Sequence, residues 1–171
     1  VELLHIDQQK IDVIYHGTSI QRFENKITMQ LPEKYILFVG SRYSYKNFNR
    51  FIEAFSLLAQ KDSKLYLICT GNKFSQGEED KLSKLHIKNK TLQINASDKE
   101  LSELYTRASL FVFPSLYEGF GIPILEAYAC HCPIAISNTS CFPEIAGDAA
   151  IYFDPYSVKD IANTIEAIIY N

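Results

Sequence analysis

Residues 109–130 read SLFVFPSLYEGFGIPILEAYAC, and the fold follows from how this stretch changes character. It opens as an apolar run of strand length and continues beyond Gly121 as an apolar segment of helix formers. Pro123 falls in the first helical turn, where its missing N–H would have had no intrahelical partner. A strand that passes through a glycine-bearing loop into a helix is the building unit of a parallel α/β sheet. Gly119 and Gly121 let backbone approach a ligand closely, and the N–H groups of Phe120, Gly121 and Ile122 would point outward from the helix start, an anion site in outline. The alternative is a tight strand-to-helix turn whose glycines serve sterics alone.

The same unit recurs along the chain. Strands are predicted near YILFVG, LYLICTG, TLQIN, SLFVFP, CPIAIS and AAIYF. Between them Phe48, Phe51, Ile52, Phe55, Leu58 and Ala59 recur at helical spacing, as do Leu101, Leu104, Tyr105 and Ala108. Ser75 with Glu78, and Ser97 with Glu100, have the spacing of reciprocal caps and mark two helix entries. Val158, Ile161, Ala162, Ile165, Ile168 and Ile169 give a last helix after the breaker Asp154-Pro155. The pattern is α/β, a single Rossmann-like, doubly wound, mainly parallel sheet over residues 35–171. Residues 1–34 lack the alternation and read as a connector, within which IDVIYHGTSI could pair at a sheet edge or lead in from a preceding domain.

At 171 residues the chain suffices for one folded domain with a core of its own. With 17 Lys plus Arg against 20 Asp plus Glu, its net charge of -3 gives no overall field for nucleic acid or anionic lipid. The longest apolar runs, such as Tyr35 to Val39, fall far short of the ~20 residues that cross a bilayer. The start has neither an initiator Met nor a secretory signal pattern, so the chain reads as a cytoplasmic fragment. Cys69, Cys130, Cys132 and Cys141 form no CxxC pair and are expected as reduced, mostly buried thiols. His5, His16, His86 and His131 lack metal-ligand spacing, and Ser115 lacks a nucleophile elbow, so neither metal nor nucleophile is assigned. The segment SQGEEDKLSK reads as a solvated helix face.

A second constellation is VGSRYSYKNF, residues 39–48, where Arg42 and Lys46 flank the loop leaving the first predicted strand. Both cations would sit at the carboxyl edge of the sheet, where open α/β folds bind ligands. They suit a diphosphate, the guanidinium chelating its oxygens and the ammonium acting as a point charge. As solvated loop cations they would do nothing. Glu126 lies in a helix that is otherwise almost all apolar and therefore predicted to be mostly buried. Its carboxylate would need partners, either a ligand diol or the helix terminus and a nearby loop.

Taken together, GSRYSYKN, the Glu118 and Glu126 pair in EGFGIPILE, and the trailing ISNTSCFPEIAGDAAIYFDP resemble the carboxy-terminal domain of glycosyltransferase family four, over residues 11 to 170. The resemblance implies the second of two Rossmann-like domains in the GT-B arrangement, holding a nucleotide-diphosphate sugar whose sugar is transferred with retention. It implies no cofactor and usually no metal, so Arg42 and Lys46 would neutralise the leaving diphosphate. Glu118 would contact the sugar hydroxyls, Glu126 the ribose, and Gly119, Phe120, Gly121 and Ile122 the sugar and diphosphate. The base would lie near Ile94, Asn95 and Ala96. The partners implied are the donor and a glycan or lipid-linked acceptor, the latter held by an absent amino-terminal domain that could also bring the enzyme to the inner face of a membrane. Many relatives carry Arg where this chain has Ser41 or Tyr45, and P-N-G-x-D where it has Tyr15 to Ser19. The rival functions are a nucleotide or sugar-phosphate binding module, a GT-B phosphorylase and a nucleotide-sugar epimerase.

Overall fold

The computed structural model describes residues 7–20, 22 and 29–170. Part of the expected connector, together with His5, lies outside the described residues. Six strands, β1 (Lys34–Phe38), β2 (Leu65–Thr70), β3 (Thr91–Ile94), β4 (Leu110–Phe113), β5 (Ile134–Ser137) and β6 (Ile151–Phe153), form one sheet in the order β3-β2-β1-β4-β5-β6. Every pairing is parallel. All six strands fall where the sequence pattern predicts them. The expected Rossmann-like, doubly wound architecture is therefore the one observed.

Helices cover both faces. α1 (Phe48–Lys61), α2 (Gln76–Lys84) and α6 (Val158–Tyr170) contribute to one apolar core, and α3 (Asp98–Arg107), α4 (Ile122–Ala129) and α5 (Phe142–Ala146) to the other. β1 shows why its sequence is continuously apolar: Ile36 and Phe38 enter the first core while Tyr35, Leu37 and Val39 enter the second. A strand buried on both faces has no polar alternation to show. Tyr35 keeps a buried hydroxyl by donating to the Leu104 carbonyl at 2.8 Å.

Both predicted caps are present. The Ser75 N–H donates to Glu78 Oε2 at 2.7 Å, the Ser97 N–H to Glu100 Oε2 at 2.8 Å, and each serine hydroxyl accepts in return. The charged helix α2 buries only Leu82, as a solvated face should.

Three features differ from the sequence reading. α5 is too short to show a period, so only Pro143 near its start marks it. α4 buries just Ile124 and Ala127, and Ile122 is 42% exposed. An apolar run there signals a helix packed by one side on a face of the sheet rather than one enclosed on all sides. IDVIYHGTSI forms no strand, so its edge-pairing alternative is not the one taken. Instead Ile20 enters the second core and the Tyr15 hydroxyl donates to Glu144 Oε1 at 2.7 Å.

Candidate active site at the sheet switch point

The strand order reverses between β1 and β4, which are neighbours although β2 and β3 intervene in sequence. Chains leaving these two strands turn to opposite faces, and the crevice between their loops is where a doubly wound sheet binds ligands. The loops that follow β1 and β4 carry the two constellations singled out in the sequence. They are joined directly, the Leu116 N–H donating to the Tyr45 carbonyl at 2.8 Å.

Lys46 and Glu118 meet across this junction, Nζ to Oε1 2.6 Å, with side chains only 12% and 15% exposed. The direction of Lys46 is fixed by its neighbour. Asn47 has φ +55°, caps the start of α1 in a left-handed conformation, and donates from Nδ2 to the buried Pro155 carbonyl at 2.7 Å. Asparagine tolerates that conformation better than most residues. The Glu118 backbone is clamped by Ser140, whose hydroxyl donates to its carbonyl at 2.9 Å and accepts its N–H at 3.3 Å.

Three residues on, Gly121 at φ +98° starts α4 with no side chain capping it. A Cβ there would lie 3.0 Å from Ile124 Cδ1, in a backbone conformation that already favours glycine. Among the described residues the N–H groups of Phe120 and Gly121 find no acceptor. They and the helix start remain available to an anion. Phe120 itself sits against the segment that precedes β1, its ring 5.0 Å from His16 and 6.1 Å from Tyr15.

Residues 19–171 match the family described as Glycosyl transferases group 1. The chain belongs to the group 1 glycosyltransferases. It is 31% identical over 165 residues to O-antigen chain mannosyltransferase RfbU of Salmonella typhimurium, across 96% of this chain and 46% of that protein. It is 36% identical over 135 residues to O-antigen chain mannosyltransferase B of Escherichia coli, across 75% and 35%. The chain thus spans less than half the length of these relatives. A solved C-terminal domain of a glycosyl transferase group 1 family protein (LpcC) from Francisella tularensis superimposes with a TM-score of 0.72 at 25% identity, over 83% of this chain and 78% of that one. A glycosyltransferase from Rickettsia africae shares the fold at TM-score 0.70 and 22% identity, over 79% and 37%. The chain is accordingly a C-terminal-type domain of this family.

Within this glycosyltransferase domain the other expected site residues distribute as follows. Glu126, on α4, accepts a hydrogen bond from the Tyr105 hydroxyl of α3 at 2.9 Å. Burial raises its carboxyl above the ordinary value, the Tyr105 bond opposes that shift, and the Asp98 charge adds to it. Tyr105 is the partner that sequence spacing alone could not name. Ile94 packs on the second core beside Ala96, and Asn95 is exposed where β3 leaves the sheet. Among the described residues no three His, Cys, Asp or Glu side chains gather as a metal-binding group, and no helix is long and apolar enough to cross a membrane. The four cysteines are free, three of them buried.

Arg42 does not join Lys46. Its Nε donates to Glu78 Oε1 at 2.6 Å, and its terminal nitrogens donate to the carbonyls of Asn72 at 2.6 Å, Lys73 at 3.0 Å and Thr70 at 3.4 Å. The guanidinium lies 4.7 Å from the Phe74 ring, and the side chain is 5% exposed. One rigid fork satisfying carbonyls of the β2–α2 loop is a brace, and an ammonium has no comparable geometry. Arg42→Ala and Arg42→Lys are both expected to lower stability, by about 2–3 kcal/mol for alanine. Urea unfolding checks this, and an Arg42→Lys variant as stable as the wild type would show that the fork is not what matters.

Proposed function

We propose that this domain binds the nucleotide-diphosphate sugar of a glycosyltransferase that transfers the sugar, with retention, to a glycan or lipid-linked acceptor. The observation that carries this reading is the mostly buried Lys46 cation at the switch point, paired with Glu118, which stands three residues before Gly121 at the uncapped start of α4. A diphosphate there would meet the Lys46 ammonium and the free N–H groups of Phe120 and Gly121. The names of the mannosyltransferase relatives favour mannose as the sugar and an O-antigen type of polysaccharide as the acceptor.

Transfer breaks the bond between the anomeric carbon and the diphosphate oxygen, so negative charge accumulates on the leaving group. Fixed donors aimed at that charge stabilise the transition state without reorganising. Lys46 and the α4 start provide such donors from this chain, independently of a bound metal. Glu118 would accept the donor sugar hydroxyls, and Glu126 those of the ribose. The raised carboxyl of Glu126 gains from two hydroxyl donors what burial has taken from it. The base would lie along Ile94 and Asn95. Arg42 would support the diphosphate only indirectly, by holding the neighbouring loop. Binding of the acceptor, and any approach to the inner face of a membrane, would belong to the rest of the full-length enzyme. Closure over the donor would align the acceptor hydroxyl and exclude water.

Calorimetric titration of the full-length protein with UDP, GDP and ADP in the absence of metal tests the donor site. One of the three is expected to bind, and Glu126→Ala to weaken it by about tenfold through loss of the ribose contacts. If the folded protein binds none of the three and none of their sugar conjugates, the donor-site assignment is wrong.

A further inference from the structure

Lys46 and Glu118 are each other's partner before any ligand arrives. Both are mostly withdrawn from water, so parting them without new partners is more costly than for a surface pair. Among the described residues Lys46 is the one partner of Glu118 Oε1, at 2.6 Å. The Glu118 backbone, by contrast, is held at both polar atoms, with the Ser140 hydroxyl on each and the Cys141 thiol 3.4 Å from the carbonyl. Of its polar groups, the carboxylate is the one held by Lys46 alone among the described residues.

Resting on the donor-site reading above, we infer that Glu118 is the internal counter-anion of Lys46 and makes the site prefer a diphosphate that still carries its sugar over the nucleoside diphosphate left after transfer. A diphosphate that engages Lys46 takes the ammonium away from Glu118. The released carboxylate then needs hydrogen-bond donors, because a mostly buried charge without them is penalised. The hydroxyls of an intact donor supply them. A nucleoside diphosphate has none at that position, and leaves Glu118 unpaired beside a second negative charge. The intact donor therefore satisfies both Lys46 and Glu118, whereas the product satisfies only Lys46 and must compete with Glu118 for it. Return of the carboxylate to the ammonium favours product release, and no covalent step is involved.

The test compares each nucleoside diphosphate with its sugar conjugate, namely UDP with UDP-glucose, GDP with GDP-mannose and ADP with ADP-glucose, by calorimetry on the full-length protein. Glu118→Gln keeps the side-chain size and removes the charge. It is expected to bind the nucleoside diphosphate about tenfold more tightly than the wild type does. It should bind the conjugate no more tightly than the wild type, so the preference for the conjugate collapses. Glu118→Ala should tighten diphosphate binding in the same direction and weaken conjugate binding further, which guards against a glutamine variant that fails to fold. If the wild type binds the diphosphate and both variants bind it equally or more weakly, the counter-anion role is overturned and the donor site stands. If the wild type binds neither a diphosphate nor its sugar conjugate, both are overturned.

Discussion

Lys46→Ala is expected to weaken nucleoside-diphosphate binding by about a hundredfold or more, the largest functional effect of any single substitution in this domain. Two losses combine. The ammonium at the junction of the β1 and β4 loops is removed, and the Glu118 carboxylate it neutralised is left facing the incoming diphosphate. Arg42 cannot compensate, because its guanidinium is already bonded to Glu78 and three carbonyls. The second loss can be separated from the first. In Lys46→Ala/Glu118→Gln the repulsive charge is gone, so the double variant is expected to bind more tightly than Lys46→Ala alone, and a double-mutant cycle by calorimetry measures the coupling. Binding by Lys46→Ala within about threefold of the wild type would remove Lys46 from the site.

Gly71→Ala is expected to be the most destabilising of the small substitutions near the site, by about 2–4 kcal/mol. Gly71 follows β2 at φ +95°, and a Cβ there would lie 2.8 Å from the Gly40 carbonyl oxygen and 3.2 Å from its carbon. The obstructing atoms are backbone, so relief requires the β1 exit to move away from β2, and with it the loop that carries Lys46. Gly40 provides an internal comparison. It has φ +105°, yet a Cβ on it would meet nothing within 4 Å. Gly40→Ala should therefore show only the conformational cost, about 1 kcal/mol. Urea unfolding of the two variants measures the difference, and equal losses would show that the close approach of the two strand exits is not under steric constraint.

Much of the framework was legible along the chain because the forces that set it act over a few residues. The run Tyr35–Val39 had to be a doubly buried strand, Ser75 with Glu78 had to start a helix, and Pro123 fitted a first helical turn. Side-chain period and backbone caps depend on neighbours at fixed separation, and these can be counted in the sequence. α5 escaped such counting because five residues hold too little of a period.

The amino-acid sequence by itself determined the six strands and five of the six α-helices of the described residues, the family, and the residues from which a donor site could be built. Only the tertiary structure decided how those residues are used. It placed β4 beside β1, so that Glu118 became the partner of Lys46, and Tyr105 of α3 the partner of Glu126. It also turned Arg42 away from Lys46 toward Glu78 and the β2–α2 loop. The physical reason is the same in each case. A long charged or polar side chain commits to whichever partners folding brings within about 3 Å, and in this sheet those partners stand on strands and loops far apart in the chain.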